Sequence, residues 1–384
     1  MSGGAQPVAV VGGGVVGCAV AHALARRGVA VVLLEAEPGL ALGASGANSG
    51  ILHTGFDSPP GELETRLILR SAALREELAA ELAPSLRCGA RLAPANEPER
   101  EAVRRLAANA RRNGVAVELA ADGALGVPGE AVTDPVAFVH ALAGAARSGG
   151  AEIRLQARVS GLAAADGGVA VALADGEELR VAAVVNCAGL YADDVARLAG
   201  EEPVRVYPRK GEFLVFRPAP GATLAEILLP VPSALGKGVL VFPTTDAHII
   251  AGPTARERED KRDWSVEADA SELILARATH MYPPLAEAEL VDSYAGLRPA
   301  GRGANYVIEG SRTLDGLIHV AAIRSTGLSA SLGIGEHVAG MLAREHGLEL
   351  GPARPLACGE APGAHDAWWQ RAARHHRGER AELP

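Results

Sequence analysis

The chain has 384 residues, of which 48% are hydrophobic, enough for two or three domains and a large buried core. Acidic residues outnumber basic ones by 46 to 37, giving a net charge of −9, and aromatics make up 3%; both argue against nucleic acid as a partner and against stacking platforms for bases. Four scattered cysteines with no CxxC pair fit a reducing cytoplasm and exclude a cysteine-ligated metal or iron–sulfur site, and no apolar run of about 18 residues exists to form a transmembrane segment.

The first elements read as a dinucleotide-binding unit. Val8–Val11 is a short apolar run that predicts a buried strand, and Gly12-Gly13-Gly14-Val15-Val16-Gly17 follows it at once in a GxGxxG pattern. Val16, Ala19, Val20, Ala23 and Leu24 share one face of a predicted helix from Val15 to Arg27, and Gly28 stands where its C-cap should be. Val29–Leu34 predicts a second buried strand that closes on Glu35. In such a unit Gly12 makes the tight turn, Gly14 lets a pyrophosphate approach the backbone, and Gly17 lets the helix sit close to the sheet. The helix N-terminus offers free N–H groups to phosphate, and Glu35 accepts from a ribose hydroxyl. The N-terminal apolar run is thereby explained without a signal peptide.

The segment from Gly43 to Asp57 indicates which dinucleotide. A nicotinamide enzyme would normally continue into another βαβ unit; here Ser45, Asn48 and Ser49 precede His53, giving little bulk and many donors along an extended cofactor. Further along, Leu63–Leu82 and Pro98–Gly114 read as helices, and Thr133-Asp134-Pro135 caps a helix that runs to Arg147. Glu152–Val159, Val169–Ala174 and Leu179–Val185 predict a three-stranded meander joined at Asp166-Gly167-Gly168 and Asp175-Gly176. Asn186-Cys187-Ala188-Gly189 ends the last of these and opens a helix over Ala192–Leu198, the geometry of a strand returning to the cofactor; Val159, Ala188 and Gly189 count as cofactor contacts. Cys18 and Cys187 lie in apolar surroundings and read as inert core residues.

The texture then changes. Val204–Phe216, Val239–Thr244 and His248–Gly252 predict strands of an antiparallel sheet outside the first domain, with a helix over Glu267–Met281 packed on it. A second glycine-rich unit lies at Ile318–Gly340. There a strand (Ile318–Ile323) turns through Ser325-Thr326-Gly327 into a helix (Leu328–Leu342), whose N-terminus would stabilise negative charge on a reduced flavin. Thr326, Gly327 and Leu328 are the contacts expected there. Two cradles at opposite ends of the chain suit noncovalent FAD, whose two ends need separate support.

The runs ANSGILHTGFD, VVNCAGLYADDVARLAG, RKGEF, GKGVLVFPTTDAHIIAGPTAREREDK, AGLRP and IRSTGLSAS occur in one order over residues 6–345. In them the chain resembles the D-amino-acid-oxidase-like flavoprotein superfamily. It is most similar to the short, type II glycerol-3-phosphate oxidases/dehydrogenases, and next to L-2-hydroxyglutarate dehydrogenases. The resemblance implies an α/β fold: a Rossmann-like FAD-binding domain (1–82, 133–205 and 310–350) with a second, largely antiparallel β-sheet substrate domain (83–132 and 206–309), both discontinuous, and a tail over 351–384. It also implies His53 near the flavin as base and Lys261 as an active-site cation. The chain departs from the pattern in lacking the C-terminal domains of the longer glycerol-3-phosphate dehydrogenases, and in carrying Arg324 where some relatives have Lys.

Oxidation of a secondary alcohol moves a hydride to flavin N5 while the hydroxyl proton leaves, so a base that titrates near neutrality is wanted, and His53 fits. A small anionic substrate needs fixed cations. Arg298, in Gly296-Leu297-Arg298-Pro299, and Arg324, at the mouth of the second cradle, can clamp a phosphate or carboxylate and also touch the cofactor. Lys261 sits in a charge run that on its own reads as a solvated face. Tyr191, Tyr207 and His248 are weaker candidates, and His375 and His376 read as solvated; no metal site is expected. The leading expectation is oxidation of sn-glycerol 3-phosphate to dihydroxyacetone phosphate. The alternatives are an L-2-hydroxyglutarate or other L-2-hydroxy acid dehydrogenase, or an amino-acid or amine oxidase. A non-catalytic flavin-binding protein is disfavoured by the retained His53. The electron acceptor is expected to be oxygen, a quinone or a diffusible molecule. The tail joins Trp368 and Trp369 to arginines and offers a peripheral membrane contact, although adjacent tryptophans cannot share one helical face and the acidic body opposes binding to anionic lipid.

Overall fold

A computed structural model describes residues 6–232, 238–357 and 367–378. Gly236 and Lys237 of the GKGV run, Cys358 and Arg380 lie outside the described residues, as do the side chains of His375 and His376. The helices are α1 (Val15–Arg26), α2 (Leu63–Glu77), α3 (Glu97–Arg112), α4 (Pro135–Ser148), α5 (Ala192–Leu198), α6 (Ala268–Met281), α7 (Gly327–His346) and α8 (Trp368–His376).

Six strands form the first sheet, in the order Val307–Gly310, Leu317–Ala321, Ala183–Asn186, Val8–Val11, Val31–Leu34, Glu152–Arg154. All neighbours pair in parallel except the Val307–Gly310 edge. The four residues of Val8–Val11 are all buried, as a strand covered on both faces requires. GxGxxG works here by close approach. Gly12 holds φ +108°, and a Cβ on it would lie 2.5 Å from the Cys187 carbonyl oxygen; a Cβ on Gly17 would run into the Gly12 carbonyl oxygen. Gly28 follows α1 with φ +75°, as expected of a residue just past the helix end. α1 is buried on most sides, not along the single stripe expected, because α4 and α7 both pack against it.

The predicted meander is corrected at both ends. Glu152–Arg154 pairs with Val31–Leu34 at the edge of the parallel sheet, and the meander itself is Val159–Ala165, Gly168–Leu173 and Glu178–Val181. The run Leu179–Val185 is two strands, because Ala183–Asn186 leaves the meander to lie between Val8–Val11 and Leu317–Ala321. An apolar run carries no mark of where it changes sheets. The chain returns to the first sheet at Val307–Gly310, which pairs antiparallel with Leu317–Ala321.

The second large sheet is mostly antiparallel and is organised by one long pair, Val206–Arg217 against Glu289–Gly301, running from Val206↔Gly301 to Arg217↔Glu289. Alternation gives the pair two faces. Leu214 and Phe216 join Ile274 and Ala278 of α6 in one core cluster, so Lys210 and Glu212 point to that side too. Arg209, Gly211 and Phe213 point the other way, opposite Arg298, Gly296 and Tyr294.

The tail overturns the membrane reading. Trp368 and Trp369 are each 3% exposed. Trp368 meets the Tyr294 ring edge-on at 5.5 Å, and Trp369 meets His248 at 5.0 Å and donates from Nε1 to Asp246 at 3.2 Å. α8 thus docks against α4 on one side and the Glu289–Gly301 strand on the other. Two adjacent indoles fit because each fills a different gap. No helix among the described residues is long and apolar enough to cross a membrane. Trp368→Ala should cost roughly 3–5 kcal/mol of stability in chemical denaturation, the usual range for a buried large aromatic. A loss under about 1 kcal/mol would show that the docked helix contributes little.

Candidate active site

The first cradle forms where Val8–Val11 ends. Glu35 accepts from the Gly13 N–H at 2.5 Å and from the Glu37 N–H at 2.8 Å, and each of its oxygens keeps a lone pair for a further hydroxyl donor. Burial pushes the Glu35 carboxyl above its ordinary range, and the two amides oppose that. Ser45 Oγ accepts from the Val15 N–H at 2.9 Å, and a Cβ on Gly14 would lie 3.1 Å from the same oxygen. Ser45 therefore lines the N-terminus of α1, where phosphate is expected. Asn48 and Ser49 shape the loop instead, accepting from the Gly50 and Ile51 amides. Ala188 lies against Gly12, and the amides of Gln156 and Ala157 donate to the Glu37 and Glu35 carbonyls, which brings Val159 to the same end of the sheet. Cys18 and Cys187 are buried with their thiols pushed well up, consistent with inert core residues.

The second cradle forms at α7. Backbone turns at Ala322 (φ +55°) and Ser325 (φ +60°) lead from Leu317–Ala321 into the helix. Thr326 is its N-cap but makes no capping bond. Its hydroxyl instead meets Glu64 at 2.6 Å and Tyr306 at 2.9 Å, so the first-turn N–H groups from Gly327 and Leu328 onward point out without a side-chain acceptor. Glycines where backbone must approach, a carboxylate at the end of the second strand and two helix N-termini whose N-cap residues make no capping bond fit an extended FAD.

His53 sits between the cradles. The short strand Ile51–Leu52 pairs antiparallel with Ala131–Thr133 in the register Leu52↔Ala131. Continuing that register by one residue places His53 opposite Glu130. His53 Nδ1 lies 2.8 Å from Glu130 Oε2, while Glu130 Oε1 accepts from the Thr54 N–H at 2.7 Å and its hydroxyl at 2.8 Å. The Glu130 side chain is completely buried and that of His53 is 19% exposed, so the ring is held at Nδ1 and open at Nε2. The His53 amide donates to Ser329 Oγ at 2.8 Å, and Arg75 donates to the carbonyls of both Ser329 and His53 at 3.1 and 3.3 Å. Sequence reasoning missed Glu130, Ser329 and Arg75. Each is far from His53 in sequence, and only the strand register could have pointed to Glu130.

Facing this is the inner side of the long strand pair. Gly296 lets the sheet close on the cofactor loop: a Cβ there would lie 2.7 Å from the Ala47 carbonyl oxygen. Arg298 lies across Gly211, where a Cβ would meet its Nη2 at 2.9 Å. Its guanidinium is held by backbone carbonyls, Nε on Arg209 at 3.0 Å and Nη2 on Lys210 and Thr254 at 3.2 and 2.8 Å. Nη1 has no acceptor among the described residues. Burial, then the Arg209 and Arg324 charges, bring Arg298 down to about 10. Arg324, half-buried at the mouth of the second cradle, has no side-chain hydrogen bond or ion pair among the described residues. The structure thus brings Arg298 and Arg324 together without a carboxylate between them.

Lys261 is placed differently. Its Nζ lies 2.7 Å from Asp193 and 2.9 Å from Asp194, and over the Tyr191 ring at 5.4 Å, so two carboxylates offset its charge. Tyr207 donates to Glu257 at 3.0 Å under the Arg302 guanidinium, and His248 packs on Trp369.

The family model described as FAD dependent oxidoreductase (DAO) matches residues 7–341. The chain is 29% identical to a glycerol 3-phosphate dehydrogenase of Caloramator mitchellensis over 352 residues, 87% of this chain and 73% of that one. It is 27% identical to the glycerol 3-phosphate oxidase of Mycoplasma pneumoniae, covering 85% of this chain and 91% of that one. The structure of the dithionite-reduced L-alpha-glycerophosphate oxidase of M. pneumoniae with FAD bound superposes with a TM-score of 0.83, at 26% identity, over 93% of this chain and 98% of that one.

Glu130→Gln should retain bound flavin yet slow its reduction by substrate roughly 10–100-fold, less than the full worth of a positioned base, which is about 10²–10⁴-fold. Rapid-mixing absorbance at the flavin band reads this, and an unchanged rate would leave Glu130 a packing residue. Burial and the Arg209 and Arg324 charges bring Arg298 down to about 10, so sulfate affinity measured by calorimetry should decline as pH rises toward that value in wild type, and Arg298→Ala should bind sulfate more weakly with less of that decline. Equal affinity and an equal profile in the two proteins would remove Arg298 from the anion site.

Proposed function

We infer the function from one premise: the chain belongs to the DAO family of FAD dependent oxidoreductases. Within that family we propose that it oxidises the secondary alcohol of sn-glycerol 3-phosphate to dihydroxyacetone phosphate. The observation that carries the reading is an imidazole held at Nδ1 by a buried carboxylate, close to the uncapped start of α7, in a chain whose facing sheet presents guanidiniums without carboxylate partners. The similarity to glycerol 3-phosphate oxidases and dehydrogenases points the same way.

In this reading the two cradles hold FAD noncovalently, with Gly12, Gly14, Gly17, Ser45, Glu35 and Ala188 around the adenine half and Thr326, Gly327 and Leu328 at the flavin. The cofactor supplies the hydride acceptor. His53 takes the hydroxyl proton at Nε2, while Glu130 at Nδ1 fixes the ring and stabilises the imidazolium that forms. Arg298 Nη1 and Arg324 hold the substrate's anionic group, and so fix where its carbinol carbon lies. The chain divides into a cofactor part around the parallel sheet and a substrate part around the antiparallel one. With both tail indoles buried, oxygen or a diffusible acceptor suits the protein better than a membrane quinone.

The test is anaerobic bleaching of the purified yellow protein against a substrate panel. sn-Glycerol 3-phosphate should bleach the flavin fully, whereas L-2-hydroxyglutarate, other L-2-hydroxy acids, amines and amino acids should not. Bleaching by one of those alone would replace the substrate and keep the family. His53→Asn should keep its flavin and be reduced about 10²–10⁴-fold more slowly; a rate within threefold of wild type would refute the base assignment.

A further inference from the structure

The inner face of the long strand pair carries a third cation, Arg209, the first residue of the RKGEF run. Arg209 lies directly across the ladder from Arg298 in the register Arg209↔Arg298, so the two side chains leave the sheet on the same face. Arg298 is tied to the Arg209 backbone by its Nε bond to the carbonyl at 3.0 Å. Arg324 follows Ala321 and Ala322, which pack with Leu297 in one core cluster, so the end of Leu317–Ala321 sits against the strand that bears Arg298.

What distinguishes Arg209 is the lack of a counter-charge. Arg217, on the same strand, pairs with Glu289, and Arg256, on the neighbouring strand, pairs with Glu267 and Asp269. Arg205, Arg258 and Arg302 around the rim each have a carboxylate as well. The Arg209 side chain has no hydrogen bond or ion pair among the described residues. The nearest carboxylate by register is Glu257, its cross-strand partner on the other side. Glu257 already accepts from the Tyr207 hydroxyl at 3.0 Å and faces Arg302 at 3.5 Å. A chain with 46 acidic residues against 37 basic ones thus leaves two half-buried guanidiniums, Arg209 and Arg298, on one face of the sheet, and a third, Arg324, at the mouth of the second cradle, without a carboxylate partner among the described residues. Like charges gathered without a partner are costly unless an anion joins them. After burial, the Arg209 and Arg324 charges both disfavour the charged form of Arg298, which an anion would relieve.

A carboxylate brings one negative charge to such a cluster, whereas a phosphate monoester brings about 1.5 to 2 near neutrality and three acceptor oxygens. We propose that Arg209 is a specificity-determining residue that reads the second negative charge of a phosphate monoester, so that the site selects dianions over monoanions. The inference rests on the proposed substrate for its biological sense, but not for its physical test. Arg298, fixed on three carbonyls, orients one phosphate oxygen through Nη1. Arg324 approaches from the cofactor side, and Arg209 closes the cluster from the sheet.

The experiment uses FAD-loaded wild type, Arg209→Ala and Arg209→Lys, in two arms. The first follows inorganic phosphate binding by calorimetry from pH 5 to pH 8. Wild type should bind more tightly as pH rises through the second ionisation of inorganic phosphate, which lies near neutrality, above the value of about 6 of a phosphate monoester. Arg209→Ala should weaken binding by roughly 10–150-fold at pH 7.5, as expected for one charge-assisted contact, and flatten the pH dependence. Arg209→Lys, which keeps the charge, should restore the slope. The second arm measures flavin reduction by sn-glycerol 3-phosphate and by glycerol, with the Arg209→Ala loss at least tenfold larger for the phosphate ester and seen in KM more than in kcat. Phosphate binding that is absent in wild type, or unchanged in affinity and pH slope by Arg209→Ala, overturns the inference. Phosphate binding that behaves as expected in a protein that sn-glycerol 3-phosphate does not reduce would overturn the proposed substrate and leave the dianion site standing.

Discussion

The site depends on one junction, the meeting of the His53 segment with the first turn of α7. Ser329 Oγ accepts from the His53 amide and donates to the Ile51 carbonyl, and these residues are 276 and 278 positions apart in the chain. Arg75 of α2 spans the same joint from below, with burial bringing its guanidinium down to about 10. Its charge, taken largely out of water, is matched to two backbone carbonyl oxygens, one on each side of the joint. The joint fixes the base relative to an uncapped helix N-terminus, so the group that takes a proton and the amides that face negative charge belong to one rigid assembly.

The antiparallel sheet supplies the opposite wall, and its inner face is selected by what its outer face must do. Lys210 is fully buried, with Asp263 and Ser265 at 2.9 Å, and Glu212 is fully buried under the Glu267 amide. Those pairs fasten the sheet to the loop leading into α6, and the one cross-strand carboxylate on the other side, Glu257, is engaged by Tyr207 and Arg302. With the alternation fixed by that packing, Arg209 and Arg298 can only point inward, and Gly211 and Gly296 between and beside them provide the room for a guanidinium and for the Ala47 backbone. The docked α8 packs on the same inner face further along the pair, through Trp368 on Tyr294, which itself stacks on Phe213 with ring centroids 4.8 Å apart.

Much of this was legible in the sequence, and the limits have physical causes. GxGxxG, the alternation of strands with helices and the acid at Glu35 report local backbone needs, and the structure meets them at Gly12 and Gly17. His53, Arg298 and Arg324 carried their own chemistry in recognisable runs. Glu130 did not: it gains its role only from the register of two short strands, 77 positions from His53 in the chain. Lys261 reads as a site cation only through the resemblance, and its pairing with Asp193 and Asp194 at the start of α5 is announced by no local pattern, since the partners are far apart in the chain. The meander failed for a related reason, since a continuous apolar run does not reveal the residue at which a strand leaves one sheet for another. The tryptophans of the tail had a composition suited to a lipid surface, and tertiary packing put them in the core instead.

Together these arrangements make an anion site and a proton acceptor on separate walls, joined by backbone contacts more than by side-chain charge pairs. The most direct measurement of that account is a crystal structure of the FAD-loaded, reduced protein with sn-glycerol 3-phosphate. The account places the phosphate among Arg209, Arg298 and Arg324, with the secondary hydroxyl within hydrogen-bonding distance of His53 Nε2 while Nδ1 stays on Glu130. A phosphate seated on Lys261 with those three guanidiniums empty, or a substrate hydroxyl beyond reach of His53, would contradict it.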